Sequence, residues 1–194
     1  MVTVDDGTIT LIEDADVSCV VANLSPAVKG AVEGHLDWLR TGGQEGERAA
    51  LRGSDLHGVE LSRINLCNVD LREADLSDAV CAGINLQGAD LRRANLSHAD
   101  ITGGNLAVAK LRHSSLKNTC LNGANLRGAD LAGASFEGAS LQDADFTGAN
   151  LLSTDFVGTD ISRSKGLNQG QFDQAMADAT TRLPGSLHLP PIRE

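Results

Sequence analysis

The sequence predicts an all-β solenoid with four-sided coils, and two nested periods in residues 51–161 support this prediction. Every fifth residue from Leu51 to Ile161 is apolar, which gives 23 consecutive central positions without a shift of register. A second series of small residues, mostly Ala, lies two positions before these central residues. A period of five matches neither the 3.6 residues of a helical turn nor the two-residue repeat of a strand. It fits a backbone that turns one corner per repeat and directs two side chains of every five to a common axis.

The longer period is 20 residues, or four repeats. Two residue types return at this interval beside the central positions, namely asparagine at Asn65, Asn85, Asn105 and Asn125, and arginine at Arg52, Arg72, Arg92 and Arg112. Because equivalent positions return after four corners, the coil is predicted to be square, and the block contains just under six coils. Stacked coils place like residues about 4.8 Å apart. The asparagines are therefore predicted to form a ladder of amide hydrogen bonds, unless Asn is merely common at this position.

Several repeats carry a recognisable motif. Ala74-Asp75-Leu76, Ala94-Asn95-Leu96 and Ala129-Asp130-Leu131 resemble the repeat of the pentapeptide-repeat family. The resemblance implies a right-handed quadrilateral β-helix, with the central Leu or Phe and the preceding small residue facing inward. It indicates little about function, because the repeats of this family occur in many proteins with no known activity.

The segment before the repeats, residues 1–50, is predicted to be an acidic N-terminal segment with a capping helix. Asp6-Gly7 lies between two β-prone runs and is typical of a hairpin. A helix is predicted at about residues 25–41, where Val28, Val32, Leu36 and Leu39 share one face. This helix is expected to cover the open first coil, because exposed solenoid ends invite association. The alternative is that hairpin and helix form a separate interaction module.

The segment after the repeats, residues 162–194, is predicted to be a C-terminal cap. The register breaks at residues 164–167, and Phe172, Ala175, Met176 and Ala179 then follow helical spacing, which predicts a short amphipathic helix over residues 169–179. A proline-containing extended tail follows it. Capping of the last coil is the favoured interpretation, and a homodimer formed through this helix is the alternative.

Charge is distributed unevenly around the predicted square. The formal net charge is −10, and the arginine ladder lies on a side that is net positive. The two sides that follow it along each coil are net negative. Their acidic residues are Asp55, Asp75, Asp78, Glu137 and Asp155 on one side, and Glu60, Asp100, Asp143 and Asp160 on the next. The simplest interpretation of these charges is a solvated surface that keeps a regular rod soluble.

Motifs for catalysis and for cofactor binding do not stand out. His57, His98 and His113 occupy outward positions that do not converge, His35 lies in the predicted capping helix and His188 in the tail, and the four cysteines lack metal-ligand spacing. We therefore expect no enzymatic activity, no cofactor and no metal. No apolar run approaches the length of a membrane span, and the cysteine usage favours a reduced, cytoplasmic protein.

Two functions remain, and both depend on the surface of the rod. The first is a structural or protein-interaction protein that presents flat ladder faces to an unidentified protein partner. The second follows from the family resemblance, because some relatives, the quinolone-resistance proteins, mimic DNA and occupy type II topoisomerases such as gyrase. The acidic sides suit such mimicry, although their charge is sparse beside duplex DNA, with one charge per ~1.7 Å. The negative net charge and the scarcity of aromatic residues argue against direct nucleic-acid binding.

Overall fold

The repeats form a β-helix with four sides per coil. The computed structural model describes residues 24–190, so the predicted hairpin around Asp6-Gly7 lies outside the described residues. Twenty parallel bridges, from Ala50 with Asp70 to Asp145 with Lys165, each join residues 20 positions apart. Each side of each coil contributes one bridged residue, the residue before the central position, rather than an extended strand.

The central residues fill the shaft of this β-helix. Each of the 23 central positions is at most 2 % exposed. Around Leu96, for example, its own N–H donates to the carbonyl of Ser115 in the next coil at 2.8 Å, and Ala99 N–H donates back to the Leu96 carbonyl at 3.1 Å. Pairing between coils and a tight turn at each corner thus provide hydrogen-bond partners for the backbone N–H and C=O groups, while the central side chain stays buried.

The second residue after each central position from Leu51 to Phe156 turns the corner in a left-handed conformation. Gly123 has a φ of 68°, and Asn118 reaches 56° in the equivalent position. Glycine adopts this conformation without steric cost, and Asn and Asp tolerate it better than most residues. This requirement explains why glycine is so frequent at that position of the repeat.

Packing inside the shaft leaves no room for a methyl group at Gly104, where most repeats carry Ala. A Cβ added there would lie 2.6 Å from Ile101 Cγ2 and 3.0 Å from the Ile101 carbonyl oxygen, with Ile84 Cγ2 in ordinary contact at 3.5 Å. Because the obstructing Ile101 side chain is β-branched and stiff, we expect Gly104→Ala to lower the free energy of unfolding by about 1–3 kcal/mol in chemical denaturation. Adding Ile101→Leu, which removes the obstructing branch, should recover most of the loss. An unchanged stability of the single variant would contradict this account of the packing.

Helix α1 precedes the first coil and spans Pro26–Arg40, where the sequence predicted a helix over about 25–41. The hydroxyl of Ser25 accepts the N–H of Val28 at its start, and proline follows directly, as is common in a first helical turn. The buried residues of α1 are Val28, Val32 and His35. Leu36 packs against the same core while only partly buried, Leu39 is also only partly buried, and His35, which the prediction did not include, is turned inward.

The C-terminal segment differs from the prediction of one helix over residues 169–179. Helix α2 spans only Gln169–Phe172. The chain then resumes pairing with the solenoid, and Met176 bridges Asp155 while Arg182 bridges Asp160. Backbone pairing therefore continues beyond Ile161, with α2 inserted on one side. The helix ends early because Met176 N–H donates to the Thr154 carbonyl at 2.7 Å, which requires extended backbone.

Candidate interaction faces

Where Asp or Asn precedes a central residue, its side chain has a structural role that sequence reasoning did not identify. Its side-chain oxygen accepts the backbone N–H two residues later, at 3.0 Å for Asp75 with Ser77 and 3.0 Å for Asp100 with Thr102. Where Ser140 occupies the position, Asn122 of the coil below accepts the N–H of Gln142 instead, at 2.9 Å. The composition of this slot was the available signal, since Asp and Asn form such local turns readily. Many acidic residues of the candidate faces therefore also hold the corners.

The four asparagines of the Asn ladder lie directly above one another. Asn85 Nδ2 donates to Asn65 Oδ1 at 2.8 Å, Asn105 donates to Asn85 at 3.2 Å, and Asn125 donates to Asn105 at 3.1 Å. The ladder runs through four coils and carries no charge. It stiffens the side on which it lies, because each amide can bond only when the coils keep their register.

The arginine ladder is neutralised by carboxylates on or beside the same side. Arg72 and Arg92 each bind the aspartate two residues earlier through two nitrogens, with Nε to Oδ1 distances of 2.8 Å in both pairs. Arg52 contacts Glu73 at 2.9 Å and Arg112 contacts Asp130 at 3.6 Å. Hydrogen bonds from the guanidinium groups hold the pKa of Asp70 and of Asp90 below the usual value. These pairs explain how four arginines can stack, although the side stays net positive because Arg93 and Lys110 have no carboxylate within 4.0 Å among the described residues.

Some carboxylates of the acidic sides have basic partners. Glu137 contacts Lys117 at 2.7 Å and Asp160 contacts Arg182 at 3.6 Å. Asp143 contacts Lys165 at 3.0 Å and Arg163 at 3.6 Å. Asp78 lies 3.7 Å from His57 Nδ1. All of these pairs are exposed, so each contributes little to stability.

The other carboxylates of these two sides form no ion pair with Lys or Arg among the described residues. Within residues 24–190, no Lys or Arg nitrogen lies within 4.0 Å of the carboxylate oxygens of five residues, namely Asp55, Glu60, Asp75, Asp100 and Asp155. Hydrogen bonds from the hydroxyl and N–H of Ser77 hold the pKa of Asp75 below its usual value. Among the described residues, the two adjacent acidic sides therefore carry five carboxylates that form no ion pair with Lys or Arg.

Sites for small ligands are less well supported. A polar pocket of about 330 Å³ is lined by Arg48, Asp70, Arg72, Asp90 and Lys110, among others, and much of its charge is already paired. Residues 24–190 contain no cluster of three His, Cys, Asp or Glu side chains able to hold a metal ion. In the same part of the chain, no helix has the length and apolar character needed to cross a membrane.

Comparison with known proteins identifies the family. The family model of pentapeptide repeats matches in eight copies, at residues 47–80, 74–107, 89–128 and 124–163, which together span more than half of the chain. The chain belongs to the pentapeptide-repeat family. No curated protein sequence matches this pentapeptide-repeat protein significantly.

Solved structures similar to this pentapeptide-repeat protein come from plants and bacteria. A pentapeptide repeat protein from the thylakoid lumen of Arabidopsis thaliana is 33 % identical with a TM-score of 0.40, over 53 % of this chain and 68 % of that one. HetL, involved in heterocyst differentiation regulation in the cyanobacterium Nostoc, is 29 % identical with a TM-score of 0.38, over 70 % and 76 %. QnrB1, a plasmid-mediated fluoroquinolone resistance protein, is 21 % identical with a TM-score of 0.41, over 70 % and 78 %.

Proposed function

We propose that this protein is a non-catalytic interaction protein whose two acidic sides bind a partner with a positively charged surface. The five carboxylates without basic partners carry this proposal. They lie on adjacent sides of a rigid solenoid, whereas the four stacked arginines of the basic side are each paired with a carboxylate. Complementary charge steers partners and sets specificity more than it sets affinity, so a regular surface of fixed negative charge suits recognition of a basic protein face.

The corner hydrogen bonds determine how this proposal is tested. Replacing Asp75 with lysine would remove the acceptor for the Ser77 N–H, so a loss of binding would not separate charge from folding. Asparagine keeps that acceptor, as Asn65 and Asn95 show in the same position. Arginine is tolerated at the exposed position of Asp78, because Arg93 has the same left-handed backbone there, with a φ of 61°.

We therefore expect the triple variant Asp55→Asn, Asp75→Asn and Asp78→Arg to fold normally and to lose partner binding by about tenfold or more. Partners captured from a lysate by cross-linking to the wild-type protein would be identified and titrated against both proteins. The control is Glu45→Lys with Glu47→Lys, which changes the net charge equally on exposed residues before the solenoid. Equal affinity of the triple variant and the wild type would exclude the acidic sides as the binding surface. Wild-type binding should also weaken as salt concentration rises.

The same free carboxylates support a second candidate, a DNA mimic that inhibits a type II topoisomerase such as gyrase. In this case the carboxylates would contact the lysines and arginines that otherwise bind DNA phosphates. A gyrase supercoiling assay with the purified protein separates the candidates. Inhibition at low micromolar concentration that the triple variant loses would support mimicry, whereas absence of inhibition together with a captured partner would support the interaction protein.

We further propose that the two helical segments close the ends of the solenoid. Val28 and Val32 of α1 belong to the same hydrophobic core as the first-coil leucines. At the other end, Phe172 of α2 is completely buried, and Gln171 Nε2 donates to the carbonyls of Ala149 and Phe146 at 2.9 Å and 3.3 Å. Because the chief apolar residue of α2 is already buried within the chain, capping is better supported than a homodimer through this helix. The cytoplasmic location also stays a prediction, supported by the free thiols of Cys67, Cys81 and Cys120.

A further inference from the structure

His35 is a completely buried polar residue within the apolar contact of α1. Its Nδ1 accepts the backbone N–H of Ala49 at 3.1 Å, directly before the first coil. Its ring stacks on Trp38, with 5.7 Å between centroids and 20° between planes. Its Nε2 has no hydrogen-bond partner among the described residues. The position therefore joins the helix to the solenoid through a group that can change its charge near neutral pH.

The hydrogen bond to Ala49 determines which form of the ring fits. Because Nδ1 accepts, the neutral ring carries its proton on Nε2. A second proton would occupy Nδ1, so protonation removes the bond to Ala49 and places a cation in a buried apolar site. Burying a charge is costly, so the closed arrangement favours the neutral ring.

The groups around His35 add to this preference. Burial is the main cause that lowers the pKa of His35 below its ordinary value, and the positive charge of Arg48, in the segment before the first coil, lowers it further. From the first coil, the backbone of Cys67 favours the protonated ring, but its effect is smaller than that of burial. The thiol of Cys67 stays neutral, because burial raises its pKa. On α1 itself, the charged residues are exposed and pair with each other, Lys29 with Glu33 at 3.8 Å and Arg40 with Asp37 at 2.8 Å.

We propose that His35 is a pH-sensitive latch that holds α1 on the first coil at neutral pH and releases the helix when the ring is protonated. This inference rests on the end-closing role proposed for α1. In the released helix His35 is solvated and titrates near 6.5, whereas in the closed state it resists protonation. Closure is therefore fully favoured above pH 6.5 and weakens below it, by about tenfold per pH unit until the closed state also binds the proton.

The 194-residue chain carries its own reporter, because Trp38 is its only tryptophan. We expect acrylamide quenching of Trp38 and hydrogen exchange in residues 26–40, corrected for intrinsic exchange, to rise between pH 7.5 and 5.0. Exchange in residues 86–126 should stay constant over that range. The carboxylates with lowered pKa values, such as Asp70 and Asp160, have ordinary values near 3.8 and affect stability only at lower pH.

Two variants identify the titrating group. His35→Gln can still accept the Ala49 N–H but does not titrate, so its α1 should stay closed at pH 5.0. His98→Gln, at an exposed position of the solenoid, should keep the wild-type response. Slow exchange of α1 at both pH values in the wild type, or an unchanged response in His35→Gln, would overturn the latch. Fast exchange of α1 already at pH 7.5 would instead overturn its end-closing role.

Discussion

Leu96→Asp is expected to unfold the middle of the solenoid and to cost about 5 kcal/mol or more of stability. Leu96 is 1 % exposed, and removal of a buried leucine side chain alone costs about 2–5 kcal/mol. The new carboxylate would have no partner in the shaft, which adds a desolvation penalty. The total approaches the roughly 5–15 kcal/mol by which an ordinary domain is stable. Because each coil contacts only its neighbours, the loss should appear in hydrogen exchange first in residues 76–116.

The matched control places the same charge two residues away, at His98→Asp. His98 is exposed, and aspartate already occupies the equivalent position at Asp78 and Asp143 with the same left-handed backbone. This control should melt within a few degrees of the wild type. If Leu96→Asp melted at the wild-type temperature as well, the inward orientation of the central residues would be contradicted.

The buried central positions could be predicted from the sequence because a local five-residue pattern determines them. One corner per five residues fixes which side chains point inward, so a single unbroken period specifies all 23 positions at once. Substitutions within the period follow the same rule, since Cys81 and Ile101 are as buried as the leucines. The square cross-section was predictable for a similar reason, because Asn65 and its equivalents recur every four repeats and the bridges join residues 20 apart.

The ends were less predictable, because long-range contacts decide their structure. Ala175 and Met176 continue a helical spacing after Phe172, yet pairing of Met176 with Asp155 outweighs this weak local preference. A four-residue helix can form there only because the preceding coil holds it. At the N-terminal end, the hydrophobic pattern predicts that leucines rather than His35 are buried on the helix. Nothing in the sequence indicates that the backbone N–H of Ala49 donates to His35.

The candidate interaction faces could be predicted from the sequence only in part. Sorting residues by side of the square identified which sides are acidic. It did not show that the arginines are paired by Asp70 and Asp90, nor that Asp75 and Asp100 also close the corners. Both facts depend on side-chain conformations, and both change which substitutions can test binding without disturbing the fold.

The aromatic stack of the last coils leads to the second large expected effect. Phe156 is completely buried and contacts three other phenylalanines. Its ring centroid lies 5.2 Å from that of Phe136, 5.9 Å from Phe146 and 6.1 Å from Phe172. Phe156→Ala should therefore lower the free energy of unfolding by about 3–5 kcal/mol in urea denaturation, because it removes a large apolar side chain and leaves a cavity.

The position of the increased hydrogen exchange shows whether Phe156 stabilises mainly the C-terminal segment or all coils of the solenoid. Phe172 of α2 packs on Phe156, so the cavity should release the C-terminal segment before the central coils, and exchange should rise first in residues 169–187. Phe156→Leu, which restores the commonest central residue, should lose clearly less stability because it fills most of the cavity. If the alanine and leucine variants were equally stable, the stacked rings would contribute nothing beyond a generic apolar filling. A uniform increase of exchange along all coils would show that α2 does not depend on Phe156 for its attachment.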